Sequence, residues 1–218
     1  MSVVAAQYRT GRLIGGVFAV VIGLGLGFAA AVPAWAGEND CHTNTSMVER
    51  QLHIPNGLLL AISLVESGVG GVPQPNALSF GLRSVVASSR DDAVRRMRGR
   101  IDNTFVGCMQ LSLRHHKAAF SSLDKMMDPR ANIYYAGNML VRLRAQTGSW
   151  SRAVARYQGG SSEQSRHYVC RVWNHLAELD WNSAKKLEPR RCGEMASPVI
   201  APKTRRAFQQ SQVAQAPD

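Results

Sequence analysis

Between residues 43 and 180, most apolar residues recur at helical spacing. Apolar positions three or four residues apart place one continuous stripe on the face of a helix. The pattern predicts helices at 47–53, 56–66, from residue 91, and at 109–120, 130–146, 150–157 and 163–179. Ser46 is the predicted cap of the first helix, and Asp128 followed by Pro129 is a typical start for the helix at 130–146.

Residues 76–88 follow a different pattern, with short β-tolerant pieces on either side of Gly81. Such pieces around a turn residue predict a small β-hairpin. The expected fold class is therefore mainly α, as a single domain with a small hairpin insert.

The segment 56–66 is apolar on nearly all sides, as expected of a helix buried in the middle of a domain, yet it ends at Glu66. Loss of water and the negative end of the helix dipole both disfavour an ionised carboxylate there, so we expect a raised pKa for Glu66. A protonated carboxyl beside Gly68, Gly70 and Gly71 suits general-acid catalysis in an open cleft. The alternative is an ordinary glutamate that turns to solvent at the helix end.

The first 36 residues have the features of a secretory signal peptide. Arg9 and Arg12 precede a long apolar stretch, which ends in Ala34-Trp35-Ala36. An uncleaved membrane anchor is the alternative, because about 20 apolar residues can span a bilayer. If the signal is cleaved, no stable membrane span is expected. In both cases the domain is exported.

The chain has a formal charge of +11, which falls to +9 without residues 1–36, because that segment contains two arginines and no acid. Such a charge attracts an anionic polymer or surface: cell wall, outer-membrane lipid or nucleic acid. The arginines are scattered and lack interleaved aromatic residues that would stack on bases. Nucleic acid is therefore not expected as a partner.

The four cysteines are Cys41, Cys108, Cys170 and Cys192. An even number in an exported protein indicates two disulfides, with three pairings open. Sequence order favours Cys41 with Cys108 and Cys170 with Cys192. No two cysteines have the short spacing of a metal site, so neither a metal nor a cofactor is predicted.

Four motifs occur in an order that resembles the soluble lytic transglycosylase (SLT) domain, a lysozyme-like family that cleaves peptidoglycan. The resemblance covers about residues 45–180. The motifs are Glu66-Ser67, Gly107-Cys108-Met109-Gln110-Leu111, Asn132-Ile133 with Ala136-Gly137 and Leu140, and Ala153-Val154-Ala155-Arg156-Tyr157-Gln158-Gly159-Gly160.

The resemblance implies a goose-type lysozyme-like fold in which Glu66 is the one catalytic acid and base. It further implies that substrate-binding residues lie beside Glu66 and on the opposite wall of the cleft, namely Ser67, Met109, Gln110 and Tyr157. Gly107 and Asn132 would be structural members of the motifs, with Asn132 holding its helix in place. The chain departs from the family pattern at Gln158, at Cys108 and in the long gap between Glu66 and Gly107.

This interpretation divides the chain into a signal peptide (1–36), a linker (37–45), a lytic transglycosylase-like domain (46–181) and a C-terminal extension (182–218). Beyond about residue 194 the extension has little to bury, and we expect it to lack ordered structure. The expected location is the periplasm. Glycan strands of peptidoglycan are the expected partner, together with a secretion, pilus or flagellar assembly if the enzyme opens the wall for one.

Only Glu66 has a setting that suits catalysis, whereas ordinary glycosidases use two carboxyl groups. One carboxyl is enough if the substrate supplies its own nucleophile. In the family's reaction the muramic-acid 6-hydroxyl closes onto C1 and forms a 1,6-anhydro sugar. A hydrolytic muramidase and a non-catalytic binding or assembly protein on the same fold remain the alternatives.

Overall fold

The computed structural model describes residues 40–187, 192–193 and 195–213. The predicted signal peptide lies outside these residues. In this part of the chain the helices are α1 (Cys41–Gln51), α2 (Leu58–Ser67), α3 (Arg90–Met97), α4 (Leu113–His116), α5 (Leu123–Met127), α6 (Pro129–Thr147), α7 (Trp150–Gln158), α8 (Ser162–Leu179), α9 (Trp181–Ala184) and α10 (Pro202–Val213). The strands are β1 (Gly68–Val69), β2 (Val72–Pro73), β3 (Ala77–Phe80), β4 (Arg83–Val86), β5 (Thr104–Val106) and β6 (Leu111–Ser112). None of the described helices is both long and apolar enough to cross a membrane.

Helix α1 begins earlier than predicted. Asp40 caps it, since its Oδ1 accepts a hydrogen bond from the backbone N–H of Thr43 at 2.7 Å. An acidic cap also interacts favourably with the positive end of the helix dipole. Ser46, the predicted cap, lies inside the helix, and its hydroxyl contacts that of Ser211 at 3.1 Å. Residues 41–45, predicted as linker, therefore belong to the folded domain.

Helix α2 is the central helix of the domain. Five consecutive residues have no exposed surface, namely Leu58, Leu59, Leu60, Ala61 and Ile62. Its first turn is capped from α1 by the buried Glu49, which accepts hydrogen bonds from the N–H groups of Gly57 (2.8 Å), Leu59 (2.7 Å) and Leu60 (3.2 Å). These bonds satisfy backbone donors that have no partner within the helix.

The predicted hairpin is present as β3 and β4, within a four-stranded antiparallel sheet of order β4-β3-β5-β6. Ser79 lies opposite Ser84 on one side and opposite Phe105 on the other, and Phe105 in turn faces Ser112. These residues form one row across a single face of the sheet. Leu78, which alternates with them, is fully buried on the other face.

The helix predicted at 109–120 does not form as one element. Gln110 adopts a left-handed conformation (φ 45°), and the short strand β6 follows before α4 and a 3₁₀ turn at Lys117–Ala119. Hydrogen bonds to Asn132 and to strand β3 hold this turn. The local apolar spacing is helical, but packing overrides it.

The predictions for 130–146, 150–157 and 163–179 are confirmed by α6, α7 and α8. Asp128 caps α6 by accepting the N–H of Ala131 at 3.0 Å, and Pro129 occupies its first position. Gly148 ends α6 with φ 76°. Ser161 and Gln164 form a reciprocal capping box at the start of α8.

Both favoured disulfides are present. Cys41 in α1 pairs with Cys108 after β5, and Cys170 in α8 pairs with Cys192. The Cα–Cα distances are 5.7 and 5.5 Å, respectively. The first bridge therefore ties α1 to the turn that precedes Gln110.

Residues 202–213 form α10, where the sequence analysis predicted a tail without ordered structure. The helix packs against α1, and Phe208 buries all but 4% of its surface. One well-placed aromatic side chain can bury enough apolar area to hold a short helix against a preformed surface. The segment is rich in Pro, Ala and Gln, and this composition alone does not reveal that Phe208 would be buried.

Candidate active site

A cleft of about 650 Å³ opens at the C-terminal end of α2. Glu66, the four-stranded sheet and helices α4, α6, α7 and α8 all contribute to its lining. The sheet contributes Ser79, Phe105 and Ser112, and the helices contribute Tyr157, Tyr168 and Arg171. Among the described residues that line this cleft, Glu66 is the only acid.

Glu66 is partly buried at the edge of the cleft. Burial raises its pKa from 4.5 to about 7, and this increase is opposed by the hydrogen bond from Tyr168 and by the positive charge of Arg171. The Tyr168 hydroxyl donates to Glu66 Oε1 at 2.6 Å. At neutral pH the carboxyl therefore exists in both protonation states, which a group acting first as an acid and then as a base requires.

Tyr157 reaches the same cleft from α7. Its hydroxyl donates to the carbonyl oxygen of Met109 at 2.8 Å. Burial raises the pKa of Tyr157 well above its usual range, and the negative charge of Glu66 adds to the increase. The neutral hydroxyl thus remains a donor, and its oxygen keeps an acceptor position for a ligand.

Gln110 lines the cleft, but its amide is largely used within the protein. Its Nε2 donates to the carbonyl oxygens of Gly107 (3.0 Å) and Ala77 (3.2 Å), and its Oε1 accepts from the Ser79 hydroxyl at 2.7 Å. These bonds connect the turn at residues 107–110 to strand β3. The side chain therefore shapes the floor of the cleft and fixes one of its walls.

Asn132 holds the same turn from α6. Its Nδ2 donates to the carbonyl oxygens of Val106 (3.1 Å) and Met126 (3.0 Å), and its Oδ1 accepts the N–H of Met109 at 3.0 Å. Gly107 passes so close that a Cβ atom there would lie 2.6 Å from Asn132 Nδ2, and its φ is 77°. Only glycine fits this position without displacing Asn132.

This geometry agrees with the result of comparison with known families. Residues 44–169, more than half of the chain, match the family described as the transglycosylase SLT domain. The chain belongs to the transglycosylase SLT domain family. No curated protein and no solved structure matches it. Membership confirms the mainly α, lysozyme-like fold class, and it gives peptidoglycan as the substrate class and glycan cleavage of the transglycosylase type as the general activity.

Two residues predicted to bind substrate do not line the cleft of this SLT domain. Met109 is fully buried, and only its backbone reaches Tyr157 and Asn132. The Ser67 hydroxyl is buried and donates to the carbonyl oxygens of Ser63 (3.1 Å) and Cys108 (2.9 Å). Both side chains are buried next to the site and do not face the cleft. For Met109 the reason is the left-handed turn at Gln110, which places the preceding side chain in the core.

Tyr168 and Arg171 are two site residues on α8 that were not predicted from the sequence. Tyr168 lies on the buried face of α8 and is only 3% exposed. Its hydroxyl nevertheless reaches Glu66, which lies 102 residues earlier in the chain. A tyrosine at the end of a buried stripe, with a hydroxyl that needs a partner, was the available signal.

The cleft of the SLT domain also contains several basic residues. Arg114, His115, His116 and Arg171 all line it. Arg114 also lies 3.4 Å from the carboxylate of Asp102. Burial lowers the pKa of His116, with His115 adding to the effect, so His116 is neutral at neutral pH. The two arginines thus provide permanent positive charge in the cleft that contains Glu66.

Proposed function

We propose that this SLT domain is a lytic transglycosylase that cleaves the β-1,4 bond between N-acetylmuramic acid and N-acetylglucosamine and leaves 1,6-anhydro ends. The observation that carries the proposal is the environment of Glu66. It is the one acid among the described residues of the cleft, its pKa is raised to about 7, and the cleft that it lines has a volume of about 650 Å³.

In the first step, protonated Glu66 donates its proton to the glycosidic oxygen. The bond between C1 of the muramic acid and this oxygen breaks, and the bonding electrons leave with the oxygen of the departing sugar. Tyr168 occupies Glu66 Oε1, so Oε2 is the oxygen available to carry the proton.

In the second step, the Glu66 carboxylate accepts the proton of the muramic-acid 6-hydroxyl. The hydroxyl oxygen attacks C1 and forms the 1,6-anhydro bond, so Glu66 returns to its protonated form and no water is consumed. One carboxyl serves both steps because the substrate provides the nucleophile. A pKa near the working pH makes both transfers accessible.

The basic residues of the cleft suit an anionic substrate. The stem peptides of peptidoglycan carry carboxylates, and Arg114 and Arg171 would attract them. Export to the periplasm belongs to the same proposal. It is supported by the signal-like residues 1–36 and by two disulfides, which persist in oxidising compartments.

The test is mass spectrometry of the muropeptides released when the purified protein is incubated with sacculi. Products with 1,6-anhydro ends support the proposal, whereas reducing ends would indicate a hydrolase and the absence of products a binding protein. Glu66→Gln keeps the shape but cannot donate the proton, and should abolish release. Glu163→Gln is the matched control, because the Glu163 side chain is 75% exposed on α8 and lies outside the cleft.

A further inference from the structure

Residues 195–213, which we name the C-terminal strap, lie beyond the segment that matches the family. The strap consists of a stretch without regular secondary structure followed by α10. It contacts α2 and α8, the two helices that supply Glu66 and Tyr168. Its contacts indicate a role in the cleft, although it does not line the cleft itself.

The strap is attached to α8 by polar contacts. Asn174 Nδ2 donates to the carbonyl oxygen of Ala196 at 2.8 Å. The Arg205 guanidinium donates to the Glu178 carbonyl oxygen at 2.7 Å and to its carboxylate at 3.3 Å. Cys192, just before the strap, forms a disulfide with Cys170 in α8. Cys170 is two residues after Tyr168.

A second set of contacts joins the strap to the β1–β2 hairpin, which directly follows α2. The backbone N–H of Ala201 and the hydroxyl of Thr204 both donate to the Gly71 carbonyl oxygen, at 3.1 and 2.9 Å. Thr204 is only 1% exposed. Gly71 has φ 77°, and a Cβ atom there would collide with the Ala201 backbone. The strap therefore packs tightly against the turn at Gly71 and restricts its position.

The third set of contacts is apolar and lies on α2. Phe208 packs with Leu60 and Leu64 in a small cluster of buried side chains, separate from the main core. Leu64 is two residues before Glu66. Because packed interiors deform little, the position of Phe208 constrains the last turn of α2.

We propose that the C-terminal strap is a positioning element for the Tyr168–Glu66 pair, with Thr204 and Phe208 as its main positioning residues. It fastens α8 and the end of α2 to one common support. The distance between the Tyr168 hydroxyl and Glu66 Oε1 then depends on a segment outside the matched family region. The proposal rests on the proposed function of Glu66.

The decisive variant in the full chain is Thr204→Val, which keeps the side-chain shape and removes the donor to Gly71. We expect kcat on soluble peptidoglycan strands to fall about tenfold with KM unchanged, since a displacement of about 1 Å near the reacting groups can cost about 100-fold in rate. Thr204→Ser should retain kcat because it keeps the hydroxyl. Gln209→Ala, on the exposed face of α10, is the matched control and should also retain it.

Two measurements do not depend on turnover. In Thr204→Val, amide hydrogen exchange of residues 68–74 should accelerate about tenfold, as expected for the loss of one buried hydrogen bond. The pKa of Glu66, followed by NMR of its carboxyl carbon, should rise. The hydrogen bond from Tyr168 lowers this pKa in the wild type, and a longer, weaker bond would lower it by a smaller amount. Phe208→Ala should change all readouts in the same direction. If Phe208→Ala does not fold, the comparison of Thr204→Val with Thr204→Ser decides.

The results separate the two proposals. If the wild type cleaves glycan and Thr204→Val keeps its kcat while only its melting temperature falls, the strap is a stability element and the inference is wrong. If the wild type releases no products, the proposed function fails. The strap is then judged by hydrogen exchange and by the Glu66 pKa, and unchanged values in Thr204→Val would overturn it.

Discussion

Replacing Tyr168 by phenylalanine tests how the cleft tunes the pKa of Glu66. The Tyr168 hydroxyl donates to Glu66 Oε1 at 2.6 Å and favours the charged form, against the burial that raises the pKa to about 7. Burial and the charge of Glu66 raise the pKa of Tyr168 itself well above its usual range. The hydroxyl therefore remains a donor throughout the pH range of the assay.

The size of the effect follows from the energy of this bond. A hydrogen bond to a charged group contributes about 1.5–3 kcal/mol, and one pKa unit corresponds to about 1.36 kcal/mol. Tyr168→Phe should therefore raise the pKa of Glu66 by about one to two units. The added apolar character of phenylalanine acts in the same direction, because it further disfavours the charged form.

The assay is the pH dependence of kcat/KM on soluble peptidoglycan strands. Proton donation requires protonated Glu66, so kcat/KM of the wild type should fall about tenfold between pH 6 and pH 8. The fall in Tyr168→Phe should be about twofold or less, whatever its absolute rate. Tyr134→Phe, a change on α6 at a residue that is 41% exposed, is the matched control and should keep the wild-type profile. A Tyr168→Phe profile that is unchanged or moves to lower pH would refute this account.

Three further predictions concern stability and binding. The folded-state pKa of Glu66 lies above its ordinary value of 4.5, so ionisation of Glu66 destabilises the fold as pH rises. In urea titrations, the free energy of unfolding of Glu66→Gln should therefore exceed that of the wild type by up to about 3 kcal/mol at pH 8. At pH 5 the difference should be less than about 1 kcal/mol. Glu49→Ala removes the acceptor of three buried N–H groups, that of the cap residue Gly57 and those of Leu59 and Leu60 in α2. It should lower the free energy of unfolding by on the order of 3 kcal/mol, whereas Glu163→Ala should change it little. Binding of Glu66→Gln to sacculi should weaken as salt rises, since the Debye length is about 8 Å at physiological ionic strength; sedimentation that does not depend on salt would make the net charge incidental.

Local signals explain the parts of the fold that the sequence predicts well. The periodic apolar stripe and the Asp128-Pro129 start predict α6, and the turn at Gly81 predicts the hairpin, because both depend on residues close together in the chain. The helix predicted across the turn at Gln110 was wrong. The left-handed conformation of Gln110 is set by contacts with Asn132 and strand β3, which are distant in the sequence. Docking of α10 likewise depends on a surface that exists only after folding.

The same contrast applies to the site. Glu66 could be predicted from its own helix, because burial and the helix end act locally on its carboxyl. The contact between Tyr168 and Glu66 joins residues 102 positions apart, and neither local pattern contains the other partner. The assignment of Ser67 and Met109 to the substrate surface followed from the motif alone, whereas the fold places both side chains behind the cleft.

Helix α2 has a carboxyl group at each end, Glu49 fully buried and Glu66 partly buried, and the two groups differ in their hydrogen-bond donors. Both oxygens of Glu49 accept backbone hydrogen bonds, Oε2 from Gly57 and Oε1 from Leu59 and Leu60. At Glu66, only Oε1 has a hydrogen-bond partner within the described part of the chain. A carboxyl with both oxygens bound within the protein can stabilise a helix but cannot deliver a proton to a ligand. Glu66 keeps one oxygen without a bond inside the described part of the chain, and this difference from Glu49 supports its proposed role as the catalytic acid.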